Sequence, residues 1–124
     1  MVRARNKISK LRGENMARKT IYISGPISND PDFQKHFKKA EADIYENVTN
    51  GEWCFTGAIN PAKVNSNLPA DFEWQDYMEC CYRFLDLCHA IYMLSGWQES
   101  EGARRELAYA KLLGLEVYYE DGDN

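Results

Sequence analysis

The sequence predicts one small α/β domain, a doubly wound parallel sheet of Rossmann-like or flavodoxin-like type with helices on both faces. Three observations predict it. Four short runs rich in β-branched and aromatic residues alternate with three longer segments whose apolar residues recur at helical spacing. Right-handed crossovers turn that order of elements into a parallel sheet. The chain, at 124 residues, is long enough for one core and too short for two.

Thr20-Ile21-Tyr22-Ile23-Ser24 reads as the first strand, ended by the turn residues Gly25-Pro26. Asp30 is expected to cap a helix with Pro31 at its first position, where a missing N–H costs little. Phe33, Phe37, Ala40, Ile44 and Val48 give that helix its apolar stripe, and Asn50-Gly51 stops it. The second strand falls within Trp53 to Ile59 and is closed by Asn60-Pro61; Ala62 to Pro69 is read as a loop. Asp71 is expected to cap the next helix, which turns Phe72, Tyr77, Cys81, Phe84, Leu85 and Cys88 towards the core. Ala90 to Leu94 forms the third strand. A helix from about Ser100 to Leu113 follows and ends at Gly114, and Leu115 to Tyr119 is the last strand.

Charge divides the chain. Residues 1–19 hold seven basic residues against Glu14, whereas the remainder holds eight basic and eighteen acidic residues within an overall net charge of −4. Residues 1–18 are therefore set apart as a basic arm, 19–120 as the α/β domain and 121–124 as a polar tail. The arm reads as a disordered tail or a translational extension, Met16 offering an alternative start; docking on nucleic acid is the rival reading. The acidic body argues against broad nucleic-acid binding. No apolar run reaches the roughly 20 residues of a membrane span. No apolar segment follows the N-terminal charges, as a secretory signal requires, so the expected location is cytoplasmic. Cys54, Cys80, Cys81 and Cys88 lack metal-ligand spacing, so reduced thiols and no metal are expected. His36 is expected to be solvated and His89 structural.

Open parallel sheets bind ligands outside the carboxyl ends of their strands. The loops gathered there carry Ser24, Gly25, Pro26 and Ile27 after the first strand, Asn60 and Pro61 after the second, and Gly96, Trp97, Ser100 and Gly102 after the third. Glu106 lies four residues from both Gly102 and Ala110, so it shares a helix face with small residues that leave a ligand room to reach it. Its bland alternative is a solvated glutamate paired with Arg105 or Lys111. The amides opening the Ser100 helix suit an anion such as phosphate. Gly25 and Gly102 are expected to admit a ligand close to the main chain, and Tyr22 and Trp97 to flank a flat ring. Neither a GxGxxG fingerprint nor a Walker A sequence is present.

Ile21-Tyr22-Ile23-Ser24-Gly25-Pro26-Ile27, Ile59-Asn60-Pro61-Ala62, Asp76-Tyr77-Met78 with Cys88-His89-Ala90-Ile91-Tyr92-Met93-Leu94, and Ser100-x-Gly102-x-x-x-Glu106-x-x-x-Ala110 occur in this order. Together they resemble the nucleoside 2-deoxyribosyltransferase superfamily, and most closely its small phage and bacterial branch, similar to the 2′-deoxynucleoside 5′-monophosphate N-glycosidases. The resemblance covers nearly all of residues 20–119 and implies base exchange between deoxynucleosides or hydrolysis of the N-glycosidic bond. It implies Glu106 as the nucleophile on the anomeric carbon, Tyr22 as the group orienting that carboxylate, and Ser100 as a contact to the 5′-phosphate. Pro26 and Ser28 stand where the monophosphate hydrolases carry serine and arginine, and Cys81 stands near their helix-borne aspartate, a candidate acid for the leaving base. The expected protein is thus an N-glycosidase or deoxyribosyltransferase without cofactor, commonly a homodimer or larger. The alternative is a protein that binds a nucleotide or nucleotide-derived signal in the same pocket without turnover.

Overall fold

The computed structural model describes residues 19–65 and 68–122. The basic arm over 1–18 and the end of the polar tail lie outside the described residues. Four strands, β1 (Thr20–Ser24), β2 (Gly57–Ile59), β3 (Ala90–Met93) and β4 (Glu116–Tyr119), form one sheet in the order β2-β1-β3-β4. Every pairing is parallel, with Ser24 opposite Met93 at the carboxyl ends of β1 and β3. The helices are α1 (Phe33–Thr49), α2 (Pro61–Asn65), α3 (Trp74–Asp86) and α4 (Glu101–Leu113), with a 3₁₀ turn at Trp97–Glu99. The small α/β Rossmann-like fold expected from the sequence is the fold observed. No helix among the described residues is long and apolar enough to cross a membrane.

Alternation along the strands builds two cores. Ile21, Ile23 and Tyr92 face α1, where Phe37, Ala40 and Ile44 are fully buried. Tyr22, Ile91 and Met93 face the other way, against Leu85 of α3 and Leu107 and Ala110 of α4. The chain steps from β1 outward to β2, then crosses to β3 on the opposite side, so the topological switch point lies between β1 and β3.

Local chemistry corrects three expected boundaries. Asp30 does not cap α1: it accepts from the Asp32 amide at 2.9 Å and pairs with His36 at 2.7 Å, and the helix starts at Phe33. His36 is accordingly exposed but paired rather than simply solvated. Residues 61–65 form α2 instead of a loop, because Asn60 Oδ1 accepts from the Ala62 amide at 3.0 Å and Pro61 occupies the first position. The cap of α3 is Glu73 rather than Asp71, in a reciprocal capping box with Asp76. Elsewhere the expected signals hold. Ser100 caps α4 through the Ala103 amide, Gly114 ends it at φ 77°, and His89 Nδ1 accepts from the Thr20 amide.

Candidate active site

Helix α4 begins just beyond the 3₁₀ turn, and its sixth residue falls above the β1–β3 junction. That position is Glu106. The residue is 5% exposed, so the alternative of a solvated glutamate paired with Arg105 or Lys111 is overturned; Arg105 instead pairs with Glu101 at 2.8 Å. Tyr22 Oη donates to Glu106 Oε2 at 2.6 Å, and Ser24 Oγ donates to Oε1 at 2.5 Å. Two residues apart on β1, Tyr22 and Ser24 share the α4 side of the strand, which is why both reach one carboxylate. The Cys81 thiol, on α3, lies beside the carboxylate and also favours its charged form.

Burial dominates the electrostatics. It raises the Glu106 pKa above the ordinary carboxylate value, against the opposing pull of the Ser24, Tyr22 and Cys81 donors. Burial, reinforced by the neighbouring Glu106 charge, holds the Tyr22 phenol well above its usual range, so it remains a proton donor to the carboxylate. The neighbouring Tyr77 hydroxyl and Cys81 thiol are both pushed up, chiefly by burial. Replacing Tyr22 by Phe deletes one donor that favours the charged form. The acid limb of any Glu106-dependent pH–activity profile then moves to higher pH, with activity falling about 10- to 100-fold. A pH–rate series on Tyr22→Phe checks both. An unmoved acid limb contradicts the role.

Glu106 faces a cleft of about 660 Å³ between the loop after β1, the start of α3 and the start of α4. Gly25 and Ile27 line one side, Ser100 and Gly102 another, and Phe33, Phe37, Phe72, Trp74 and Tyr77 provide aromatic surface. Asn29 Nδ2 bonds the Glu99 carbonyl at 3.4 Å, joining the β1 loop to the 3₁₀ turn.

The other expected site residues are placed elsewhere. Tyr22 lies behind the carboxylate rather than against a ring site, since it is fully buried. Trp97 packs on Tyr119 at 6.1 Å within the α3–α4 core, with its indole nitrogen unpartnered among the described residues. Pro26 and Gly96 line a neighbouring hollow with His36 and Lys39. Asn60 caps α2, although Pro61 beside it reaches the cleft. Gly25 is required by packing, because a Cβ there would sit 2.8 Å from Leu94 Cβ. At Gly102 a Cβ would meet Met78 Sδ at an ordinary 3.5 Å.

Sequence reasoning missed the α3 wall. Trp74 lines the cleft, and Cys81, expected from the sequence as a reduced thiol, lies on α3 beside Glu106. Their helical offsets from Met78, three or four residues either way, were the available signal. No group of three or more metal-ligating side chains occurs among the described residues.

A parallel α/β domain with a buried, hydrogen-bonded carboxylate at its switch point defines the class of protein. The more particular assignment is by sequence. The family described as Domain of unknown function (DUF4406) matches residues 19–119, and the chain belongs to it. No curated protein and no solved structure matches the chain.

Proposed function

We propose that the protein cleaves or exchanges the N-glycosidic bond of a nucleoside or nucleotide, with Glu106 as nucleophile and Tyr22 as its orienting residue. The observation that carries this reading is the Glu106 carboxylate, gripped by Tyr22 and Ser24 from behind and open to the cleft in front. The resemblance to the nucleoside 2-deoxyribosyltransferase superfamily supports it, since the roles it implies for Glu106 and Tyr22 require the two to touch, as they do. Glycosyl transfer proceeds through an oxocarbenium-like transition state, which an adjacent carboxylate stabilises and then captures as an ester. Tyr22 and Ser24 keep the carboxylate from rotating away, and water or a second base releases the sugar. No organic or metal cofactor enters this scheme. Its site in a cytoplasmic homo-oligomer belongs to the same reading, with Trp74, 42% exposed at the cleft, available to a second copy.

The test is chromatographic detection of free base from a panel of nucleosides and deoxynucleosides, with neutral and with cationic bases, and their monophosphates. Base release by the wild type and its loss in Glu106→Ala, by at least about 10³-fold, are expected. Equal release by the two proteins, or none from any substrate, contradicts the assignment. One observation favours a second reading, binding without turnover. Where the resemblance expects an acid on α3, Cys81 presents a buried thiol whose raised pKa makes it a poor proton donor. Tight calorimetric binding with intact ligand recovered afterwards would identify that case.

A further inference from the structure

The cleft has a one-sided charge. Glu73, Glu99, Glu101 and Glu106 line it, and no lysine, arginine or histidine does so among the described residues. Glu101 has its charge matched by Arg105, whose guanidinium also lies over the Trp74 ring at 5.4 Å. Glu73 and Glu99 have no ion-pair partner among the described residues. The amide end of α4, the feature that suited phosphate in the sequence, is already answered within the chain. Ser100 Oγ is committed to the Ala103 amide, Glu101 occupies the first turn, and Glu99 immediately precedes it. A phosphate dianion entering here meets like charges, and the neighbouring Arg105 is already paired with Glu101. A cation meets the carboxylates and the aromatic walls, both of which attract it.

Resting on the proposed glycosidic chemistry, we infer that the cleft takes an N-glycoside whose base is positively charged and whose sugar carries no phosphate. This also resolves the missing acid. When Glu106 attacks the anomeric carbon, the carbon–nitrogen bond breaks and its electron pair returns to the cationic ring nitrogen. The base leaves neutral and needs no proton. Water then attacks the same carbon of the glycosyl ester, its hydroxyl going to the sugar and its proton to solvent, and the Glu106 carboxylate is restored.

A matched trio of probes tests the charge preference on the full chain: nicotinamide riboside, its uncharged reduced form, and nicotinamide riboside 5′-phosphate. Calorimetry is expected to rank them in that order, the cation binding at least ~10-fold tighter than the reduced form and ~100-fold tighter than the phosphate at low salt. The gap narrows on going from ~50 mM to ~0.5 M salt. Glu99→Gln, which keeps the size of a cleft-lining side chain and removes its charge, weakens the cation ~3-fold and leaves the reduced form unchanged. Tighter binding of the phosphate, equal affinity for all three, or no binding of any of them overturns the inference. Release of nicotinamide is followed in the same samples: its absence despite the predicted ranking counts against the glycosidase reading alone, and its presence with phosphate preferred counts against the charge inference alone.

Discussion

Glu106→Gln is expected to inactivate the protein and to make it more stable at neutral pH. The carboxylate is 5% exposed and has no cationic partner among the described residues; what compensates its charge is neutral, the Tyr22 and Ser24 hydroxyls with the Cys81 thiol beside them. Ionising it in the folded chain is therefore harder than in the unfolded chain, and its folded pKa is raised. Between the two pKa values the native state holds the extra proton, so stability declines as pH rises through that window. The stability is fully present below the ordinary carboxylate pKa and lost above the raised one. Glutamine keeps the shape and one acceptor but never ionises. We expect the stabilities of wild type and Glu106→Gln to lie close together near pH 4 and to diverge in favour of the variant towards pH 8, the difference reaching ~1–2 kcal/mol. Thermal scans across that range decide it. A variant less stable than the wild type at every pH would mean that the carboxylate is structural and that its burial serves the fold.

Phe37→Ala is expected to have the largest effect on stability. Phe37 is fully buried: its ring packs in the α1-side core with Ile21, Ile23 and Ile44, and the side chain also borders the cleft. Truncating a buried phenylalanine costs about 3–5 kcal/mol through lost transfer energy and the cavity left behind. That is a large share of the ~5–15 kcal/mol that holds a domain of this size together. For a domain of about 100 residues it corresponds to a fall in Tm of roughly 15–30 °C. Because α1 fixes the β1 loop beside the cleft, ligand affinity should fall with stability. Denaturant unfolding with unchanged slope and a lowered midpoint is the expected signature; a loss below ~1 kcal/mol would show that the ring does not close this core.

How far the sequence foretold this molecule depends on how local the determining physics is. Ser100 and Gly114 set the ends of α4 through a side-chain cap and a left-handed backbone, both of which act within a few residues, and both ends were legible. Ile21 and Ile23 against Tyr22 announce a strand buried on both faces, and so a central parallel strand. Pro61 misled because a proline after a strand reads as a terminator, whereas the Asn60 side chain makes it the first position of a helix. Asp30 misled in the same way, since its carboxylate had two competing partners, the Asp32 amide and His36.

The carboxylate of the site was legible because its helix and its strand were. Its donors were only half so: Tyr22 was named as orienting Glu106, but Ser24 had been placed with the ligand rather than on Oε1. Trp97 was assigned to the ligand and packs on Tyr119, because which way an aromatic at a loop turns depends on the strand beside it. The α3 wall, with Trp74, Tyr77 and Met78, was invisible for the same reason: helical spacing tells which residues share a face, not which end of that face borders a cleft.

The most direct measurement is a crystal structure of Glu106→Gln soaked with a nucleoside that the wild type cleaves. The account predicts the sugar in the cleft between Ile27 and Gly102, its anomeric carbon about 3–3.5 Å from the side chain at 106, with the base against the aromatic wall. A nucleoside seated instead in the hollow beside His36 and Lys39, leaving residue 106 untouched, would contradict it.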